Sequence, residues 1–196
     1  MLREGLWRWT ARHPDWKQGE DWEELVGCVY YEAPEAVVLV DPLVPAGPDE
    51  QERFHRALDR DVERLGLPVA VLLTVHWHER SATEVAGRYG GAIWRLGDDA
   101  GALPAGIEAF PARGAEEVVF WIPEHGAVIA GDVLLGDGAG GVRLCPASWL
   151  PGGYTLESLR ADLRPLQDLP VELLLVSHGE PVTQDARARL TAALDG

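Results

Sequence analysis

Basic side chains are scarce in this sequence, and their shortage limits the partners that it can bind. The 196 residues include 17 Lys and Arg against 32 Asp and Glu, a formal net charge of −15 with histidine neutral. Clustered cations capture a nucleic-acid backbone, and an anionic membrane face attracts them as well. We therefore expect no nucleic acid and no membrane as a partner, and a small molecule as substrate or ligand.

Cysteines and long apolar runs are scarce as well. The two cysteines, Cys28 and Cys145, lie far apart and lack the spacing of a metal site. Such sparse cysteines are typical of a reducing compartment, and we expect both to be packed as small core side chains. No stretch approaches the roughly 20 apolar residues of a membrane span or has the pattern of a signal peptide. These absences predict a cytoplasmic protein.

The remaining composition is that of a globular domain. Hydrophobic residues make up 46% of the chain and charged residues 25%, and we expect one domain over residues 1–196. Strand patterns come first, helix and strand patterns then alternate, further strands follow, and two helices close the chain. This order favours two β-rich halves, each with helices on its outer face.

Candidate N-caps predict where the helices begin. The segment 47–49, Gly-Pro-Asp, precedes apolar residues at helical spacing. Ser81 followed by Glu84 has the pattern of a capping box. Thr155 and Thr183 stand before the two helix patterns that end the chain, and we expect each to cap its helix.

Side chains that can bind a metal follow three apolar strand patterns. His76 and His78 come after the first, Asp132 after the second and His178 after the third. Residues two apart in an extended segment point to the same side, so we expect His76 and His78 to face one cleft and Trp77 to pack in the core. Imidazoles with a carboxylate suit zinc or a similar transition ion.

With these motifs in this order, the sequence resembles the metallo-β-lactamase fold hydrolases, a family that includes glyoxalase II, lactonases and phosphodiesterases. The resemblance covers nearly the whole chain and rests on five segments: Val38-Leu39-Val40-Asp41-Pro42, His76-Trp77-His78, the hairpin at 118–126, Ala130-Gly131-Asp132 and the segment 177–182, Ser-His-Gly-Glu-Pro-Val. It implies an α/β fold, a four-layer αββα sandwich, with the site at one edge between the two sheets.

The resemblance also implies a metal-ligand set. Family members with two metals carry His-x-His-x-Asp-His, and His76 and His78 match its first two histidines. Asp132 matches the bridging aspartate, and His178 matches the last histidine. Four of the seven usual ligand positions are therefore kept. A first metal site would rest on His76, His78 and Asp132.

Three positions depart from the family pattern. Arg80 stands at the aspartate of the motif, Ser81 at its third histidine, and Arg113 where a further histidine is usual. An arginine cannot ligate a cation and is always protonated. We therefore expect the second metal site to be absent and the site to be degenerate, with at most one ion.

Two functions stay open. In the first, one metal ion, expected to be zinc, activates water on an ester, thioester, lactone or phosphodiester, and Asp132 or Glu79 accepts the water proton. In the second, no metal binds; Arg80 pairs with Asp132 and Glu79, and the chain is a catalytically silent protein that binds a small anion through Arg80 and Arg113. Trp149, in the loop after Asp132, is the candidate substrate wall.

The remaining polar candidates are given ordinary roles. We expect His13, His55 and His125 on the surface, because they lie beside charged residues or in turns. Asp41 precedes Pro42 at a strand end, where a carboxylate commonly forms a turn.

Overall fold

The computed structural model describes residues 1–97 and 101–196. The strands in these ranges are β1 (Leu6–Arg12), β2 (Leu25–Glu32), β3 (Val37–Val40), β4 (Val69–Leu72), β5 (Ala92–Trp94), β6 (Glu108–Ala112), β7 (Glu117–Ile122), β8 (Ala127–Ala130), β9 (Leu134–Gly136), β10 (Val142–Leu144) and β11 (Leu173–Val176). The α-helices are α1 (Pro48–Leu65), α2 (Ala82–Tyr89), α3 (Leu156–Leu163) and α4 (Ala186–Asp195). Within the described ranges, no helix has the length and hydropathy that crossing a membrane requires.

The first sheet has the strand order β1-β2-β3-β4-β5. Its first three strands are antiparallel, whereas β3, β4 and β5 run parallel. The apolar stripe of α1 packs on this sheet through buried Leu58 and partly buried Phe54 and Val62, and α2 adds Val85. The helix predicted from this apolar spacing therefore covers one face of the sheet.

The second sheet has the order β11-β8-β7-β6, and α3 and α4 cover its outer face. Leu159 and Leu163 of α3 and Leu190 of α4 are completely buried against it. A short antiparallel ribbon, β9 with β10, lies beside this sheet. The ribbon was not predicted from the sequence, because its strands are three residues long and lie among glycines.

A separate apolar cluster fills the space between the two sheets. Tyr31 from the first sheet meets Phe120 and Ile122 from the second, and all three side chains are fully buried. Together with the two helix-covered faces, this cluster gives four layers in the order αββα. The predicted fold class is confirmed.

The two sheets are joined by backbone hydrogen bonds at one edge. The Gly27 N–H donates to the Ser177 carbonyl at 2.7 Å, and the Val118 N–H donates to the Thr74 carbonyl at 2.8 Å. A Cβ at residue 27 would lie 2.6 Å from the Val176 carbonyl oxygen, so only glycine allows this approach. The ends of β2, β4 and β11 consequently meet at this edge.

One of the three predicted caps is present. The Thr155 hydroxyl accepts a backbone N–H in the first turn of α3 at 3.1 Å. Ser81 makes no capping hydrogen bond in α2; its hydroxyl accepts the Val44 N–H at 2.9 Å and so holds the loop after β3. The cap at Thr183 is also wrong, because α4 begins at Ala186.

Candidate functional site

Side chains that follow three strands of the two sheets meet where the sheets join. His78 follows β4, Asp132 follows β8 and His178 follows β11. Asp132 Oδ1 lies 3.1 Å from His78 Nε2 and 3.3 Å from His178 Nε2, and one ligand atom from each residue lies within 4.8 Å of the other two. Asp132 Oδ1 is buried, yet it accepts no well-aligned hydrogen bond. We call these three residues the donor cluster.

Asp41 supports the donor cluster from behind. Its carboxylate accepts the Thr74 N–H at 2.9 Å and lies 2.9 Å from His78 Nδ1. It is only 3% exposed, and its backbone is left-handed with φ of 47°. A carboxylate on Nδ1 fixes the ring orientation and directs Nε2 toward Asp132. A turn-forming role was predicted for Asp41, and its contact with His78 was not expected. The position of Asp41 was a signal for this contact, because Asp41 directly follows β3, the parallel neighbour of β4.

Glu117 holds the loop that carries Asp132. Its carboxylate accepts three backbone N–H groups, from Gly131 at 2.9 Å, Asp132 at 2.9 Å and Val133 at 3.0 Å. The side chain is 1% exposed. Burial, together with the negative charge of Asp132, raises the pKa of Glu117. This glutamate was not singled out from the sequence, because it lies in an apolar strand pattern.

The pKa values of His78 and Asp132 shift in opposite directions. Burial and the charge of Arg80 oppose protonation of His78, but Asp41 and Asp132 outweigh them and raise the pKa of His78 to about 9. Burial favours the neutral form of Asp132, but the charge of His78 outweighs it and lowers the pKa of Asp132 well below its usual range. A positive His78 between two carboxylates is thus the stable state of the metal-free cluster.

Arg80 binds strand ends rather than acidic side chains. Its guanidinium donates to the Ser177 hydroxyl at 2.7 Å, the Asp41 carbonyl at 3.2 Å and the Gly27 carbonyl at 3.3 Å. The predicted pairing with Asp132 and Glu79 is therefore wrong. Arg80 ties β2, β3 and β11 together beneath the site through these three hydrogen bonds.

His76 lies outside the donor cluster. Its side chain is 61% exposed and sits 3.7 Å from Glu116, whereas His78 is buried. The reason is local: residues 76–79 form a 3₁₀ turn rather than an extended segment, and side chains two apart diverge in such a turn. Trp77 is likewise not in the core; it is 51% exposed and donates its Nε1–H to Asp132 Oδ2 at 2.8 Å.

Two further predicted site residues also lie elsewhere. Glu79 is exposed and accepts the Thr83 hydroxyl at 2.7 Å, so it does not reach the donor cluster. Arg113 lines a separate cavity of about 220 Å³ together with His76. The predicted anion clamp of Arg80 and Arg113 is not formed, because the two guanidinium groups face different cavities.

A pocket of about 430 Å³ opens onto the donor cluster. In the described ranges it is lined by His13, Asp15, Asp21, Trp22, Trp77, His78, Arg80, Asp132, Trp149 and His178. The structure places Trp149 on this wall, with its ring centroid 6.3 Å from that of His178. Of the predicted site residues, His78, Arg80, Asp132, Trp149 and His178 are brought together here.

The other histidines differ from the surface positions expected for them. His13 is half-buried in the pocket wall, and His55 is half-buried on α1. His125 is buried, with its ring centroid 5.4 Å from that of Tyr31, because the 123–126 turn folds back onto the core. Both cysteines are buried and unpaired, as expected from the sequence.

Comparison with known proteins gives a match in structure alone. No family model and no curated protein matches the sequence. A metallo-β-lactamase family protein from Thermus thermophilus is 19% identical with a TM-score of 0.59, over 100% of this chain and 80% of that one. A metallo-β-lactamase from Pontibacter korlensis is 16% identical with a TM-score of 0.56, over 100% and 97%. The NDM_FIM-1-like metallo-β-lactamase from Erythrobacter litoralis, in its mono-zinc form, is 16% identical with a TM-score of 0.63, over 100% and 93%.

The chain has the metallo-β-lactamase fold. The donor cluster combines positions from both metal sites of the ligand pattern that the sequence resembles. His78 matches a ligand of the first metal site, and His178 matches one of the second. Asp132, at the bridging position, lies between them. His76, which the expected first site of His76, His78 and Asp132 required, lies outside this cluster.

The donor cluster fits one divalent cation. Two imidazole nitrogens and a carboxylate oxygen are a usual catalytic set for zinc, which keeps a further position open for water or substrate. Asp132 Oδ1 accepts no well-aligned hydrogen bond from the protein, and a cation between it and the two imidazoles would satisfy it. The Asp41 contact to His78 Nδ1 is the outer support that metal-binding histidines usually have.

We expect the free energy of unfolding of the metal-free protein to fall as the pH rises. A raised histidine pKa stabilises the folded state fully below the unfolded value, about 6.5, and this contribution is lost as the pH rises through about 9. The loss expected from His78 is about 3 kcal/mol, and the raised pKa of Glu117 acts in the same direction. Urea unfolding with a chelator at pH 5.5 to 9.5 measures it.

The variant His78→Gln is the comparison for this experiment, since it removes the titrating ring. A flat stability profile for the unmodified protein over this range would contradict the ion pairing of His78. Below about pH 4 we expect the opposite trend, with stability falling as the pH falls. The lowered pKa of Asp132 stabilises the folded state fully only above the ordinary pKa of an aspartate.

Proposed function

We propose that this protein is a metal-dependent hydrolase that uses a single divalent ion, with zinc as the first candidate, bound by His78, Asp132 and His178. The observation that carries the proposal is the convergence of three ligand atoms within 4.8 Å at the floor of a pocket. Esters, thioesters, lactones and phosphodiesters are the substrate classes that such a site can hydrolyse. The mono-zinc form of the Erythrobacter litoralis structure is consistent with a single ion on this fold.

The protein's own residues prepare this chemistry. Asp41 retains the proton on His78 Nδ1, so that loss of the Nε2 proton leaves a lone pair facing Asp132. Trp77 donates to Asp132 Oδ2 and leaves Oδ1 available to the metal. When bound, the ion would lower the pKa of a water molecule and polarise the reacting oxygen of the substrate. Asp132 is the carboxylate of the predicted catalytic pair that lies in the pocket.

The charges of the pocket favour this function over a silent anion-binding protein. Arg80 already donates to three oxygens of its own chain, and Arg113 lines another cavity. Asp15, Asp21 and Asp132 line the same pocket as Arg80. Without a metal these three carboxylates outnumber the positive Arg80 and His78 in the pocket, and the remaining negative charge disfavours a small anion.

Metal analysis of matched variants tests the proposal. We expect close to one zinc per chain after reconstitution in the unmodified protein, and a value near zero in His178→Ala. The control is His76→Ala, which removes an exposed imidazole outside the cluster and should retain the metal. A metal content near zero in the unmodified protein, or equal losses in the two variants, would overturn the proposal.

Hydrolysis completes the test. The zinc-loaded protein should turn over one of two model substrates, p-nitrophenyl acetate or bis(p-nitrophenyl) phosphate, and chelation or His178→Ala should abolish the turnover. Turnover that survives both treatments would show that hydrolysis does not use this site.

A further inference from the structure

The mouth of the pocket combines aromatic and acidic side chains. Trp22, Trp77 and Trp149 supply three indoles, and Asp15 and Asp21 supply carboxylates. We call these five residues the pocket mouth. They come from the loop between β1 and β2, from the loop after β10 and from the 76–79 turn between β4 and α2.

The indoles are held in place by hydrogen bonds from their ring nitrogens and by ring packing. Trp77 Nε1 donates to Asp132 Oδ2 at 2.8 Å, and Trp149 Nε1 donates to Asp21 Oδ2 at 2.9 Å. Trp22 packs edge-on against His178, with ring centroids 5.4 Å apart. The ring N–H groups of Trp77 and Trp149 are used in these hydrogen bonds. The remaining surface that these two side chains offer to the pocket is apolar ring. Trp77 is half-exposed, so a ligand in the pocket mouth can cover apolar ring surface.

The charges at the pocket mouth are negative. Asp15 and Asp21 are exposed, and Glu23 adds a half-exposed carboxylate 3.7 Å from His178 Nδ1. Arg80 also lines the pocket, and its guanidinium donates three hydrogen bonds to the protein itself. The net charge of −15 for the whole chain has the same sign as this local field. A cation approaching the pocket mouth is therefore attracted.

We propose that the pocket mouth binds a cationic group of the substrate, of the alkylated ammonium class, while the donor cluster acts on the bond to be hydrolysed. Indole faces attract such cations through their ring quadrupoles, and tryptophan does so best among the aromatic side chains. Carboxylates around the indoles add a charge attraction that a neutral substrate of the same shape does not receive. This inference rests on the proposed function, because it assigns a substrate class to that site.

A pair of isosteric probes tests the inference by binding rather than by activity. Choline and 3,3-dimethylbutan-1-ol have nearly the same shape and the same hydroxyl group, and they differ by one positive charge. Titration calorimetry with zinc-loaded protein should show choline binding at least tenfold more tightly, with the difference decreasing between 0.05 and 0.5 M salt. Equal affinities, or tighter binding of the neutral alcohol, would overturn the inference.

Two variants assign the preference to the pocket mouth. Asp21→Asn removes the charge but keeps an oxygen that can accept the Trp149 N–H, and Trp77→Leu removes an exposed ring. Each should reduce choline affinity at least threefold while leaving that of the alcohol closer to its original value. Glu35→Gln is the matched control, because Glu35 is exposed in the turn between β2 and β3, at the far end of β2 from Gly27. If the control weakens choline binding as much as Asp21→Asn, the preference reflects net charge and the inference is wrong.

The metal content measured on the same samples separates this inference from the proposed function. One zinc per chain without a preference for choline would overturn the inference and leave the proposed function standing. A choline preference in protein that cannot be loaded with zinc would overturn the proposed function while supporting the cation site.

Discussion

Replacing Glu117 with leucine is expected to destabilise the protein by about 4 kcal/mol. The carboxylate accepts three backbone N–H groups of the loop at 131–133, and leucine would leave these buried donors unsatisfied. Each unsatisfied group costs about 1 to 3 kcal/mol, and relief from burying a carboxylate offsets part of the sum. Against a typical total stability of about 5 to 15 kcal/mol, this loss is large. Urea unfolding of chelator-treated protein measures it.

The neighbouring glutamate provides the control for this prediction. Glu116 is 64% exposed and lies 3.7 Å from the exposed His76, so Glu116→Gln should change the stability by less than about 0.5 kcal/mol. Glu117→Gln keeps one acceptor oxygen and should fall between the two. A Glu117→Leu variant within about 1 kcal/mol of the unmodified protein would show that the loop is held by other contacts.

The fold was predictable from the sequence because its long elements carry clear patterns. The apolar stripe of α1 buries one face of a helix, and the continuous apolar runs of β4, β8 and β11 are those of buried strands. The spacing of the apolar residues therefore distinguishes helix from strand in these elements. The caps were less predictable. Ser81 has the residue pattern of a capping box, but a tertiary contact to the Val44 N–H competes for its hydroxyl. Such competition is invisible to a local pattern.

Only the site residues that follow buried strands could be predicted from the sequence. His78, Asp132 and His178 follow buried strands, and the meeting of the two sheets brings them together. His76 was misplaced because an extended backbone was expected where the chain makes a 3₁₀ turn. Asp41 and Glu117 were missed because their partners, Thr74 and the 131–133 loop, are distant in sequence. Only the tertiary structure joins them.

Arg80 shows how one substitution changes the character of the site. The resemblance assigns a metal-binding aspartate to this position, and the arginine found there bonds to Gly27, Asp41 and Ser177 instead. A fixed cation now lies next to the donor cluster and opposes a second metal by charge repulsion. The same arginine joins the strand ends that carry the cluster.

Replacing Asp132 with asparagine is expected to lower the zinc affinity more than about 100-fold. Asp132 is the only carboxylate of the donor cluster, and its Oδ1 lies 3.1 and 3.3 Å from the two imidazole nitrogens. Loss of an outer support alone usually costs about 10-fold to 100-fold in metal affinity, so loss of the charged ligand should cost more. At a zinc concentration of about 100 times its Kd, the unmodified protein gains about 2.7 kcal/mol. For a chain of this size that is a rise in Tm of roughly 5 to 10 °C.

Asp132→Asn should show almost none of this rise at the same zinc concentration, and the comparison is made by thermal unfolding with and without zinc. Asp21→Asn is the matched control, because Asp21 lines the same pocket without belonging to the donor cluster. It should keep nearly the full zinc-dependent rise. Similar rises in Asp132→Asn and in the unmodified protein would mean that zinc binds elsewhere on the chain. That result would remove Asp132 from the metal site, even though its buried Oδ1 accepts no well-aligned hydrogen bond from the protein.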